Sequence, residues 1–243
     1  MLMDLLRKRA IGSKVWAFLA EQNIPQMFPF LLYLVGYMLV FRYLETIPRT
    51  GYVDVSSNLD TMIPFCEIFI VPYLSWFLFQ AVWVVLVFII DRKTYNQLTT
   101  MLMIGMTVFL IVSALVPTRV SLRPYFISRN NIFVQMCLLL WKVDTPTNVW
   151  PSIHVFNTTA LMMTLFTSDN SFLKKKAVRI AVVFWCGMII LSTMFVKQHS
   201  MGDVLSALIL NGISYVVIYQ EGVFFRFERL GRRRSLVKNL DKS

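Results

Sequence analysis

The 243-residue sequence is 57% hydrophobic and only 15% charged, with a mean hydropathy of +0.62, whereas soluble domains carry about 25% charged residues. That balance excludes a soluble enzyme and points to an integral membrane protein of one domain, with no room for a large second one. The net charge of +11 would suit nucleic acid, but the basic residues lie between apolar runs, so membrane topology accounts for them and no nucleic-acid partner is expected.

In chain order, residues 1–26 are polar and basic and read as a cytoplasmic N-terminal segment. The apolar run that follows lacks a small-residue cleavage pattern, so it is a retained helix rather than a signal peptide. Spanning takes about 20 mainly apolar residues. Five runs meet this, at 27–44, 69–90, 98–116, 177–196 and 204–219, and a shorter, more polar sixth lies at 153–167. Asn157, Thr158 and Thr159 would be costly against lipid, so that sixth run belongs inside the bundle or along a cavity. The patch 132–141 is about half a spanning length and reads as an interfacial helix. The segment 220–243 is a basic cytoplasmic tail, either a topology determinant or an anchor to anionic lipid.

Of the 24 Lys and Arg residues, 17 fall in the two terminal segments and the loops around Arg92 and Lys174. By the positive-inside rule these four regions face the cytoplasm, which requires an even number of crossings. The expected fold is therefore an all-α, six-transmembrane-helix bundle with both termini cytoplasmic and a 27–219 membrane domain. A short chain without added domains points to a bacterial plasma membrane. The two long outer loops collect the non-helical polar sequence, and loops of that length are commonly functional.

Both histidines of the protein, His154 and His199, fall at the outer face on this topology. Asp203 follows His199 by four residues, so on a helix the carboxylate shares a face with the imidazole and can fix its tautomer. A histidine so held is a nucleophile or proton donor; an interfacial histidine with no role is the alternative. Arg119, Arg123 and Lys197 bring positive charge to the same face, against the topology rule, as an anion would require, and the Arg fork suits phosphate. Ser152, after Pro151, stands where a helix begins; it either caps that helix or presents its free N–H groups to the same anion. Asp60, Pro64, Glu67 and Pro72 mark a turn or an acceptor-alcohol contact, and Tyr73, Trp76, Trp141 and Trp150 read as an aromatic belt. Cys66, Cys137 and Cys186 lie far apart, which suggests neither a disulfide framework nor a zinc site, and no metal or other cofactor is expected.

The stretches Arg123-Pro124, Pro151-Ser152-Ile153-His154, and Ser192-Thr193 followed by His199 and Asp203 resemble the three-part signature of the type 2 phosphatidic acid phosphatase superfamily. That signature reads K-x6-R-P, then P-S-G-H, then S-R-x5-H-x3-D. The resemblance implies metal-independent phosphoryl transfer from a lipid phosphate on the outer face of the bilayer. His199 would attack phosphorus to form a phosphohistidine, Asp203 would orient it, and His154 would protonate the leaving alkoxide. Arg123 and Ser152 would bind the phosphate oxygens. Three positions depart from the pattern. Val116 stands in place of the first-motif Lys, Ile153 in place of the second-motif Gly, and Thr193 in place of the third-motif Arg. Arg119 and Lys197 are the nearest replacement cations. Fewer cations weaken binding of a dianionic monoester more than of a diester, which points toward the branch resembling inositol phosphorylceramide and sphingomyelin synthases. Three functions are thus open: a lipid phosphatase, a lipid phosphotransferase, and a non-catalytic transport or interaction protein.

Overall fold

A computed structural model describes residues 24–220; the basic tail and almost all of the N-terminal segment lie outside them. Eight α-helices are present among the described residues: α1 Phe28–Thr46, α2 Asn58–Thr61, α3 Ile70–Ile90, α4 Arg92–Leu115, α5 Ile132–Val143, α6 Ile153–Thr167, α7 Lys176–Phe195 and α8 Met201–Tyr215. Five helical rods are long and apolar enough to cross a membrane: Phe28–Thr46, Glu67–Ile90, Arg92–Leu115, Lys176–Phe195 and Met201–Tyr219. The sixth expected crossing, α6, is apolar but has only 15 residues.

Local chemistry sets the boundaries. One residue, Asp91, separates α3 from α4. Its Oδ1 accepts from the Thr94 N–H at 3.1 Å and its Oδ2 from the hydroxyls of Thr94 and Ser168 at 2.6 and 2.5 Å. This N-cap starts α4 at Arg92, six residues before the apolar run at Leu98, because a cap and not hydrophobicity decides where a helix begins. Asn131 caps α5 by accepting from the Val134 N–H, and α5 is the short helix expected at the interface.

The α6 helix is the axis of the bundle and packs against α3, α4, α7 and α8. Asn157, Thr158 and Thr159 are all buried, with the two threonine hydroxyls bonded to carbonyls one turn back. Close approach of α4 depends on Gly105, where an added Cβ would lie 2.0 Å from Phe156 Cε1. The Asn211 amide of α8 donates to the Phe156 carbonyl at 2.8 Å, and the Trp83 indole of α3 donates to the Thr164 hydroxyl at 3.0 Å. Buried Leu98, Met101, Leu102, Val155, Phe156, Leu161 and Leu165 fill the space between.

Helix α1 packs against α4. The Tyr33 hydroxyl donates to the Met103 carbonyl at 2.9 Å, and Tyr37 and Phe41 pack on Phe109. At its far end the Glu45 carboxylate accepts from the Asn148 amide at 2.5 Å and from the Thr145 hydroxyl. The two long loops, after α1 and after α4, are joined by a short parallel pair, β1 Val53–Asp54 with β2 Thr118–Arg119, in register Val53 to Thr118. Together they form a cap over the end of the bundle where α6 and α8 begin.

Candidate active site

Two helix starts are tied to each other under this cap. The Ser152 N–H donates to the Asp203 carbonyl at 3.2 Å, which joins the beginnings of α6 and α8. Ser152 is the N-cap of α6, its hydroxyl accepting from the Val155 N–H at 3.4 Å, and it is fully buried. Ser200 is the N-cap of α8 in a capping box: its hydroxyl accepts from the Asp203 N–H at 3.1 Å while Asp203 Oδ2 accepts from the Ser200 N–H at 2.8 Å. Asp203 thus has a structural duty of its own at the third helical position, which stabilises a helix start.

The same Asp203 Oδ2 lies 3.3 Å from His199 Nδ1, and His199 Nε2 lies 3.4 Å from His154 Nδ1. A carboxylate on Nδ1 selects the tautomer that keeps the proton there and leaves Nε2 with its lone pair. The three residues singled out for chemistry therefore form one line, Asp203 to His199 to His154. All three are buried, Asp203 completely. The backbone delivers His199 through a tight turn at the end of α7, where Lys197 adopts a left-handed conformation (φ 60°). The N–H groups of Gln198 and His199 both donate to the Thr193 carbonyl at 3.0 Å.

The expected cations are placed differently. Lys197 turns its ammonium to the carbonyls of Asp60, at 3.1 Å, and Ile63. Burial pushes it below the ordinary lysine value, with Asp60 acting in the opposite sense. Arg119 is exposed and pairs with Asp54 at 3.8 Å. Arg123 does reach the site, but its guanidinium binds protein oxygens: the Trp141 carbonyl at 3.0 Å, the Asp144 carbonyl at 2.7 Å and Gln198 Oε1 at 2.5 Å. It closes the C-terminus of α5, where a cation suits the exposed carbonyls, and fixes the residue beside His199. Thr193, at the third-motif Arg position, is buried with its hydroxyl bonded to the Ile190 carbonyl at 2.8 Å.

Six residues join the site that the sequence reading did not place there. Tyr73 and Trp76 do not form an outward aromatic belt. Their rings lie against His154, with centroids 4.9 and 4.4 Å away. The Tyr73 hydroxyl donates to Asp144 Oδ2 at 2.6 Å, and Asp144 lines a cavity of about 40 Å³ together with His154, His199 and Gln198. Phe41 of α1 and Phe109 of α4 form its apolar wall. Asp60 is a structural turn: it completes a capping box with Ser57 and its Oδ1 accepts from the Met201 N–H at 2.6 Å, holding the start of α8. No group of metal-binding side chains occurs among the described residues.

No family model, curated protein or solved structure matches this chain.

Proposed function

We propose that the protein is a membrane lipid phosphatase that transfers a phosphoryl group from a lipid phosphate to water through a phosphohistidine. The observation that carries this reading is the line Asp203–His199–His154, assembled from two helix starts and facing a cavity. His199 Nε2 forms the bond to phosphorus as the ester P–O bond breaks, Asp203 holds the Nδ1 proton, and His154 gives its proton to the departing alkoxide. Water, deprotonated by His154, then displaces the phosphoryl group from His199 and restores both rings. In such a reaction the transition-state charge is spread over phosphoryl oxygens, so placement and positive electrostatics do most of the catalysis. The phosphoryl group must enter between the two facing histidine nitrogens, which supports in-line displacement. The reading includes six crossings, with α6 as the short buried one, both termini cytoplasmic, and the cap facing outward from a bacterial plasma membrane.

One observation favours a second reading. Arg119 and Lys197, the replacements for the missing signature cations, are both engaged with protein groups. A site with Arg123 as its nearby cation suits a diester better than a dianionic monoester, because each additional phosphate charge needs a compensating one. The same three residues would then pass a phospho-headgroup from a phospholipid to an alcohol.

Release of inorganic phosphate from a panel of lipid phosphates, in excess chelator and beside His199→Ala, tests the first reading. Release by the wild type and none by the variant is expected. Silence on the monoesters, with a new phospholipid formed from a diester donor and an alcohol, would replace it with the second. A His199→Ala protein as active as the wild type in any lipid conversion would overturn both and leave a transport or interaction role.

A further inference from the structure

In the function proposed above, His154 delivers a proton to the leaving oxygen, yet its surroundings oppose a positive ring. It is buried beneath Tyr73 and Trp76, with a second imidazole 3.4 Å from its Nδ1. A buried cation without a counter-ion gives up its proton. The titratable and charged groups around it come from three directions. Tyr73 approaches from α3, His199 and Asp203 from the α7–α8 turn, and Asp144 from the segment before α6, with Arg123 behind it on the Asp144 carbonyl. Asp203 Oδ2 is committed to His199 and the Ser200 N–H. Of the two carboxylates, Asp144 is the one that shares the cavity wall with His154. Its Oδ2 is fixed by a 2.6 Å bond from the Tyr73 hydroxyl, and the Tyr73 ring is the one packed on His154.

We propose that Asp144 is a positioning residue for His154: aligned by Tyr73, its carboxylate is the counter-ion that keeps the His154 imidazole protonated until the leaving oxygen takes the proton. Each histidine then has its own carboxylate, Asp203 for the nucleophile and Asp144 for the acid. Environments that separate two like groups in this way are how one site holds a base and an acid together. The inference rests on His154 acting as the acid, so its test must not depend on turnover.

The two-histidine composition supplies such a test. Protein labelled with ¹⁵N only in imidazole rings, in lipid nanodiscs, gives two sets of ring signals, and each is followed against pH in wild type, Asp144→Asn, Tyr73→Phe and Asp203→Asn. In Asp144→Asn the proton affinity of His154 is expected to fall about tenfold or more, the effect of losing a close opposite charge, with His199 moving less. Asp203→Asn should do the reverse, and Tyr73→Phe should lower His154 partway. An unmoved His154 midpoint in Asp144→Asn, or a larger shift at His199, overturns the proposal. If Asp144→Asn does not fold, an unmoved His154 in Tyr73→Phe overturns it equally. Where turnover is measurable, the alkaline limb of the kcat profile of Asp144→Asn should move to lower pH and Asp144→Glu should restore it. A rise in KM for ammonium-bearing lipids with the profile in place would make Asp144 a headgroup contact instead. The ring titrations stand whether or not phosphate is released, so failure of the functional reading and failure of this one are separate results.

Discussion

Asp203 serves two masters through one oxygen: its Oδ2 receives both the Ser200 N–H and His199 Nδ1. Replacing it with Asn therefore has two separable effects. Activity should fall by roughly 10²- to 10⁴-fold, the span of general acid–base support, and the capping box should weaken by about 1 kcal/mol. His199→Ala should abolish turnover while leaving the fold intact, since the ring makes no helix-capping bond. Phosphohistidine trapping and thermal unfolding measured on both variants check this; equal residual rates would count against the assigned roles. Arg119→Gln should leave KM unchanged, because an exposed ion pair contributes about 0–1 kcal/mol and touches none of the three reacting groups. Lys197→Met should act on stability, by releasing the Asp60 and Ile63 carbonyls. A raised KM for a phosphate substrate in either variant would return that cation to the binding site. His154, His199 and Asp203 were legible in the sequence because two lie four residues apart and the third stands at a helix start; the expected shared helix is instead a turn, with His199 just before the Ser200 N-cap of α8 and Asp203 in its first turn. Asp144 and Tyr73 were not, since their contact spans 71 residues and neither has a local pattern that announces it. Nearness in sequence also misdirected Lys197: the left-handed turn at that residue points its side chain to the cap.

At the scale of elements, the bundle is organised by the packing of α4 on α6 at a single small residue. Gly105→Ala places a methyl carbon 2.0 Å from Phe156, a ring that is only 1% exposed and has nowhere to turn. Overpacking of this kind costs about 1–3 kcal/mol, and the variant should unfold at a clearly lower temperature in detergent. Gly36→Ala is the control. Its added carbon meets nothing within 4 Å, and Ala is the better helix former by about 1 kcal/mol, so that variant should be neutral or more stable. Similar unfolding temperatures for the two would mean that α4 and α6 are not held this way. The helices themselves were largely readable from apolar run length, including the short α5 and the buried, polar α6. What run length misses is where a helix continues past its apolar part, as α4 does from Asp91, and how capping hydroxyls join helices distant in sequence.

For the whole molecule, the helix order sets α1, α4 and α7 running toward the cap and α3, α6 and α8 running away from it. The proposed topology can be tested with single cysteines in a background lacking Cys66, Cys137 and Cys186. Met62, 79% exposed on the cap side, and Asp169, whose side chain is 89% exposed in the α6–α7 connection, are suitable sites. A membrane-impermeant maleimide should label Met62→Cys in intact cells and Asp169→Cys only after permeabilisation; labelling of both from one side would refute an odd number of crossings between them. The shortness of α6 has a consequence for the chemistry itself. A rod beginning at Glu67 is already at its tenth residue when Trp76 meets His154, the second residue of α6. At about 1.5 Å per residue the histidine rings lie roughly 13 Å along that rod from its start. The cavity beside them, walled by Phe41 and Phe109 and by the polar segment 144–148, has a volume of about 40 Å³, room for only a few waters at a time. In the proposed reaction an alcohol carried in on a lipid would compete with those few waters, so the relative supply of the two acceptors, as much as the histidines, would decide between hydrolysis and transfer.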